Sequence, residues 1–203
     1  MDWFLDVMPI DVPEGCRLSI FEEPRIESGF PDLVLVIWDE SVTEAWHHSR
    51  KALKAVDLSV LHCLYQMKRA TGFEIEKLLA CSVDESLERL AAADMIDIRK
   101  GSCSVKPLRE IFAVRRIIAI EAKVSAVSSG MHQAALNTWF AHDSILLLPE
   151  EPQHLQTGSR AEDMGISIFA RAVGNVLKPA SSFEKPVSYA SWLFNEWAWK
   201  ATL

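Results

Sequence analysis

Two apolar runs, each broken by charge, limit what this chain can fold into. Phe30 to Trp38 reads FPDLVLVIW, and Val114 to Val124 reads VRRIIAIEAKV. Val, Leu and Ile dominate the first, a near-continuous apolar run whose length fits a strand buried on both faces, and the second is a β-branched run that also reads as a strand. Asp32 lies inside the first run, and Glu121 and Lys123 inside the second. A buried carboxylate costs several kcal/mol unless something pairs with it. Glu121 and Lys123 stand at i and i+2, so on a strand both point to one face. If the two strands are neighbours, three ionisable groups converge at one edge of an apolar sheet.

Around these runs the chain falls into three blocks. The first, to about Arg50, is strand-rich: Leu18–Phe21 reads as a short strand, and Pro24–Gly29 as a turn pivoting on Ser28-Gly29. From about Asp57 the period becomes helical, with Leu58, Leu61, Leu64 and Tyr65, then Ile75, Leu78 and Leu79 after Thr71-Gly72. Ser82-Val83-Asp84-Glu85 has the form of a capping box, which starts a third helix at Ser82 and places Leu87 and Leu90 on one face. Met95–Ile98 turns extended, Arg99-Lys100-Gly101-Ser102 is a turn, and Cys103–Val105 returns. Three short helices and a small hairpin, with the string EIEKLLACSVDESLERLAAADMIDIRKG, resemble the winged helix-turn-helix of bacterial regulators. The last block returns to the strand VRRIIAIEAKV, a helix over Ser128 to about Ala141, a strand at Ser144–Leu148 and another at Ile166–Ala170. An aromatic tail follows from Ser188, with Tyr189, Trp192, Phe194, Trp197 and Trp199, more suited to a core or a dimer contact than to base stacking.

Phosphodiester hydrolysis explains the charged set. Two carboxylates from adjacent strands hold a hard divalent cation, which lowers the pKa of a bound water and polarises a phosphoryl oxygen. A lysine beside them orients the attacking water and stabilises charge growing on the phosphate. Pro31-Asp32 followed by Glu121-Ala122-Lys123 resembles the motif of the PD-(D/E)XK, or restriction-endonuclease-like, nucleases. The resemblance implies an α/β fold whose central mixed sheet is flanked by helices, with the motif on the second and third strands. It implies Asp32, Glu121, Lys123 and Gln133 as catalytic residues. Asp32 and Glu121, with Glu23 (or Glu22) before the motif, become ligands of Mg²⁺ or Mn²⁺. Gln133 occupies the place of a glutamine that many members carry on the following helix. Gln133 and Asn137, at i and i+4, can order a phosphate or a water, or pair with each other.

One departure becomes an architectural expectation. Asp32 and Glu121 are 89 positions apart, where the family has a short hairpin. Hairpin tips accept inserted domains. The nuclease-like core is therefore placed at residues 1–49 and 109–203, and an inserted winged helix at 50–108. Arg89, Arg99 and Lys100 suit phosphate contacts in that insertion, although Asp84, Glu85 and Glu88 share a helix with Arg89 and would repel a DNA backbone.

Charge and composition set the remaining expectations. Net charge is −7, mildly unfavourable for nucleic acid, but residues 1–49 hold eleven acidic side chains against two basic, whereas 50–110 hold eleven basic against nine. No apolar run approaches the roughly 18 residues of a membrane span. The N-terminus lacks the pattern of a signal peptide, so a cytoplasmic protein with no membrane partner is expected. Cys16, Cys63, Cys81 and Cys103 lack zinc-site spacing and read as plain buried or half-buried thiols. Adjacent His47 and His48 do not suit one metal ion. The expected activity is Mg²⁺-dependent hydrolysis of DNA, with a homodimer where both strands are cut. The alternative is a non-catalytic DNA-binding or regulatory protein, or a protein-interaction subunit, on the same scaffold.

Overall fold

The computed structural model describes residues 10–26, 29, 31–125, 127–150, 160–170 and 186–202. The N-terminal residues Met1–Trp3 and the turn residue Ser28 lie outside them. In chain order the main elements are β1 (Cys16–Glu22), β2 (Leu33–Asp39), α1 (Ala55–Met67), β3 (Ala70–Thr71), α2 (Gly72–Leu79) and α3 (Asp84–Ala92). There follow β4 (Ile96–Arg99), β5 (Ser102–Val105), β6 (Val114–Ala122), α4 (Val127–Asn137), β7 (Asp143–Leu148), β8 (Ile166–Ala170) and α5 (Tyr189–Lys200). Short helical turns occupy Glu40–Thr43, His48–Ala52 and Leu108–Ile111. The chain forms two compact units, Met1–Ile37 with Arg115–Glu184, and Trp38–Val114 with Lys185–Leu203. Among the described residues no helix is long and apolar enough to cross a membrane.

The first unit is α/β. Its mixed five-stranded sheet runs in the order β1-β2-β6-β7-β8. β6, β7 and β8 are parallel, with Glu121 opposite Leu146 and Leu146 opposite Ile168. A parallel pair needs a long crossover, and α4 supplies it between β6 and β7. Alternation along the strands builds two apolar layers. Leu33, Leu35, Ile118, Ile120, Ile145 and Phe169 fill one face. Leu146 and Leu148 fill the other with Met131 and Ala134 of α4. Burying each such Leu or Ile contributes about 1.5–3 kcal/mol. Glu121 shares its parity with Ile117 and Ala119, not with Ile118 and Ile120, so its side chain belongs to the face that α4 covers.

The second unit holds α1, α2, α3 and α5 with a three-stranded antiparallel sheet, β3-β5-β4. α1 buries Leu58, Val60, Leu61 and Leu64. The aromatic tail is the helix α5, and Trp192, Phe194 and Trp199 are core. Trp192 packs edge-on against Phe112, with ring centroids 5.1 Å apart. A polar network lies within this core. Arg50 Nε donates to Glu196 Oε2 at 3.1 Å, Arg50 Nη2 pairs with Glu196 Oε1, and Nη2 also donates to the Ile111 carbonyl at 2.9 Å. Asn195 Oδ1 accepts from the Ala113 amide at 2.8 Å.

Two local expectations are corrected. The third helix starts at Asp84, and the residue before it, Val83, makes no side-chain cap. Glu76 Oε1 accepts from the Val83 amide at 3.2 Å, and Glu85 points outward to pair with Arg89, so Ser82 and Glu85 form no capping box. A capping box does form one helix earlier, where Thr71 Oγ1 accepts from the Glu74 amide and Glu74 Oε2 accepts from the Thr71 amide at 2.7 Å. All four cysteines are free thiols, but Cys81 is exposed rather than buried.

Candidate active site

β2 and β6 are neighbours in the sheet, so 89 positions of sequence separation close to contact. Asp32 directly precedes β2, and its Oδ2 accepts a hydrogen bond from the Ala122 amide at 2.7 Å. The carboxylate thus satisfies a main-chain donor at the end of β6. Lys123 follows β6, yet its amide still donates to the Leu147 carbonyl at 3.0 Å, which keeps it in strand register. Its side chain therefore stays on the same face as Glu121. Lys123 Nζ lies 3.7 Å from Asp32 Oδ2 and 3.7 Å from Glu121 Oε2.

These three groups differ in exposure. The Asp32 side chain is 40% exposed, Lys123 22% and Glu121 2%. Glu121 Oε1 accepts from Asn137 Nδ2 at 2.9 Å. Its other oxygen, Oε2, is buried and has no hydrogen-bond partner. Burial pushes the Glu121 carboxyl above its ordinary range; the Asn137 amide opposes this, the nearby Asp32 charge adds to it, and Lys123 opposes it.

The helix α4 shapes the site from above. A Cβ on Gly130 would stand 2.7 Å from Lys123 Cγ and 2.7 Å from Leu146 Cδ1, so only glycine leaves room for the lysine stem there. Neither Gly130 nor the Asn137–Glu121 bond was legible as a site feature. The available signal was weak: Gly130, Ala134 and Asn137 recur at i, i+4 and i+7, small or polar residues on a buried helix face.

Other residues singled out in the sequence have other places. Glu23 meets Asp32 through the main chain, its amide donating to the Asp32 carbonyl at 3.1 Å, and it adopts φ 43° with its side chain exposed. Among the described residues no three His, Cys, Asp or Glu side chains gather to hold a metal ion, so Glu23 does not join the two carboxylates. Gln133 lies on α4 with a buried carbonyl oxygen that has no hydrogen-bond partner, and Asn137 bonds Glu121 rather than Gln133.

In the second unit, Arg89 grips Asp57 with Nε and Nη2 at 2.9 and 2.8 Å, and reaches Glu85 with Nη1 at 3.1 Å. A guanidinium so enclosed by carboxylates joins α3 to α1 and has little left to offer a phosphate. Arg99 and Lys100 are exposed at the β4–β5 turn, where Lys100 and Gly101 take φ 53° and 78°. His47 caps the helical turn His48–Ala52, its Nδ1 accepting from the Ser49 amide. The chain matches no protein-family model, no curated protein and no solved structure.

Proposed function

We propose that this chain is a divalent-metal-dependent nuclease of the PD-(D/E)XK type that hydrolyses DNA phosphodiester bonds. One observation carries the reading: Asp32, Glu121 and Lys123, brought from distant sequence, converge at the end of two adjacent strands, with Lys123 Nζ 3.7 Å from a carboxylate oxygen of each acid. The first unit is then a restriction-endonuclease-like core, and the α1–α3 and β3–β5 portion of the second unit is a winged helix. The donor set fits a hard cation. Two carboxylates each lie 3.7 Å from one lysine ammonium, and the buried Glu121 Oε2 is an acceptor still without a hydrogen-bond donor. Asp32 and Glu121 would hold Mg²⁺ or Mn²⁺, which when bound supplies an acidified water and a polarised phosphoryl oxygen.

The chain's own residues do the rest. The Lys123 ammonium offsets the charge of the two carboxylates, so that a phosphodiester is not repelled from them. The same ammonium is placed to orient a water and to stabilise negative charge on the phosphoryl oxygens. Arg99 and Lys100, at an exposed turn, provide sequence-independent phosphate contacts. Cutting of both strands by so small a centre calls for a homodimer.

The test is cleavage of plasmid and linear DNA with Mg²⁺ or Mn²⁺, beside Glu121→Ala and Lys123→Ala. Loss of at least a hundredfold in rate is expected in both variants. Cleavage that persists in both would refute the site. A second reading is supported by Arg89, whose guanidinium is taken up by Asp57 and Glu85: the winged helix would then be a protein-contact module. Absence of both cleavage and DNA binding in the wild type would favour it.

A further inference from the structure

Asn137 is 3% exposed and ends α4. An asparagine at a helix end commonly adopts a left-handed conformation to cap it, but Asn137 has no positive φ. Its amide instead donates to Glu121 Oε1 at 2.9 Å. A buried carboxylate is costly unless something donates to it, and Asn137 meets that need at Glu121 Oε1. That Oε2 of the same carboxylate is left without a hydrogen-bond donor needs a further reason.

The geometry supplies one. A glutamate carboxylate has two equivalent oxygens and a broad terminal torsion. Tying Oε1 to Asn137 fixes the plane and leaves Oε2, which has no hydrogen-bond donor, turned to Lys123 Nζ at 3.7 Å. Seven residues earlier on the same face of α4, Gly130 admits the stem of Lys123. One helix thus sets both members of the pair, the carboxylate through an amide and the lysine through an absent side chain. We propose that Asn137 is a positioning residue, whose amide holds Glu121 Oε1 so that Oε2 is presented to a divalent cation.

This proposal rests on Asp32 and Glu121 being the cation-holding pair, and the experiment separates the two ideas. Mn²⁺ affinity is measured on the full chain by electron paramagnetic resonance of the free ion, for wild type, Glu121→Ala and Asn137→Leu. Wild type should bind, Glu121→Ala should lose binding, and Asn137→Leu, with an unchanged circular dichroism spectrum, should bind at least tenfold more weakly, the usual effect of removing a residue that orients a metal ligand. A merely structural asparagine would lower the melting temperature and leave the affinity alone, so binding within twofold of wild type overturns the positioning role while the carboxylate pair stands. Absence of any Glu121-dependent binding in wild type overturns both. Where Asn137→Leu fails to fold, ¹⁵N-labelled wild type decides. Mg²⁺ should shift the Asn137 side-chain amide resonances and leave them unmoved in Asp32→Ala, and no shift in wild type overturns the proposal.

Discussion

A Cβ on Gly130 meets Leu146 Cδ1 at 2.7 Å, a contact no real Cβ makes, and Leu146 is fully buried. Gly130→Ala should therefore destabilise the first unit by about 1–3 kcal/mol despite alanine's better helix propensity. Urea denaturation checks it, and a stabilised variant would show that α4 can shift freely. Sequence alone made the convergence of three residues legible, because Asp32, Glu121 and Lys123 are charges inside apolar runs and such charges need a partner. Asn137 was visible as a partner of Gln133 or a group that orders a phosphate or a water, not as the donor to Glu121. Its partner is 16 positions away and depends on α4 lying over β6, which periodicity does not report. Gly130 was silent for a related reason: what matters there is a neighbour's volume.

Between elements, buried ion pairs fix the second unit. Arg50 and Glu196 are each 1% exposed. Removing one partner strands a charge in the core, so Glu196→Leu should cost about 3–5 kcal/mol, whereas Arg50→Met with Glu196→Leu should be far milder. Thermal unfolding of the single and double variants measures this, and equal losses would argue against the pair. Asp57 is also buried. Burial alone would raise its pKa, but the Arg89 guanidinium, the Lys54 amide and Ser86 outweigh it and hold the carboxyl below its ordinary range. A depressed folded pKa stabilises above the unfolded value and is lost as pH falls through the folded one. Asp57→Asn should thus cost about 2–3 kcal/mol at neutral pH, and its gap from wild type should narrow below about pH 4. Melting curves at neutral pH and at about pH 3 read the difference; a constant gap would contradict it. The helices α1 to α3 were legible from their period and their boundaries less so, whereas α5 was read only as an aromatic tail. Ser82 and Glu85 satisfied a local pattern, but Arg89 takes the Glu85 carboxylate and the helix starts at Asp84, later than the pattern placed it.

At the scale of the whole molecule, net charge is −7, so any DNA affinity comes from local patches rather than from the overall field. If Arg99 and Lys100 touch phosphates, replacing each by alanine should weaken binding alike across sequences. It should also reduce the slope of log affinity against log salt by about one per residue, as read by fluorescence anisotropy. An unchanged slope would remove the turn from the interface. The three sequence blocks did not foretell how the units are drawn: Lys185–Leu203 belongs with Trp38–Val114, because Glu196 and Asn195 find their partners at Arg50 and Ala113. Each unit is thus built from two separated stretches of chain. During synthesis, β2 emerges long before β6, its neighbour in the sheet, and α1 waits for α5. Neither core is complete until its second stretch has been made. The long wait leaves the apolar strand Leu33–Trp38 open to the wrong partners. Folding yield, more than final stability, is where a slow or interrupted translation of this chain would be felt.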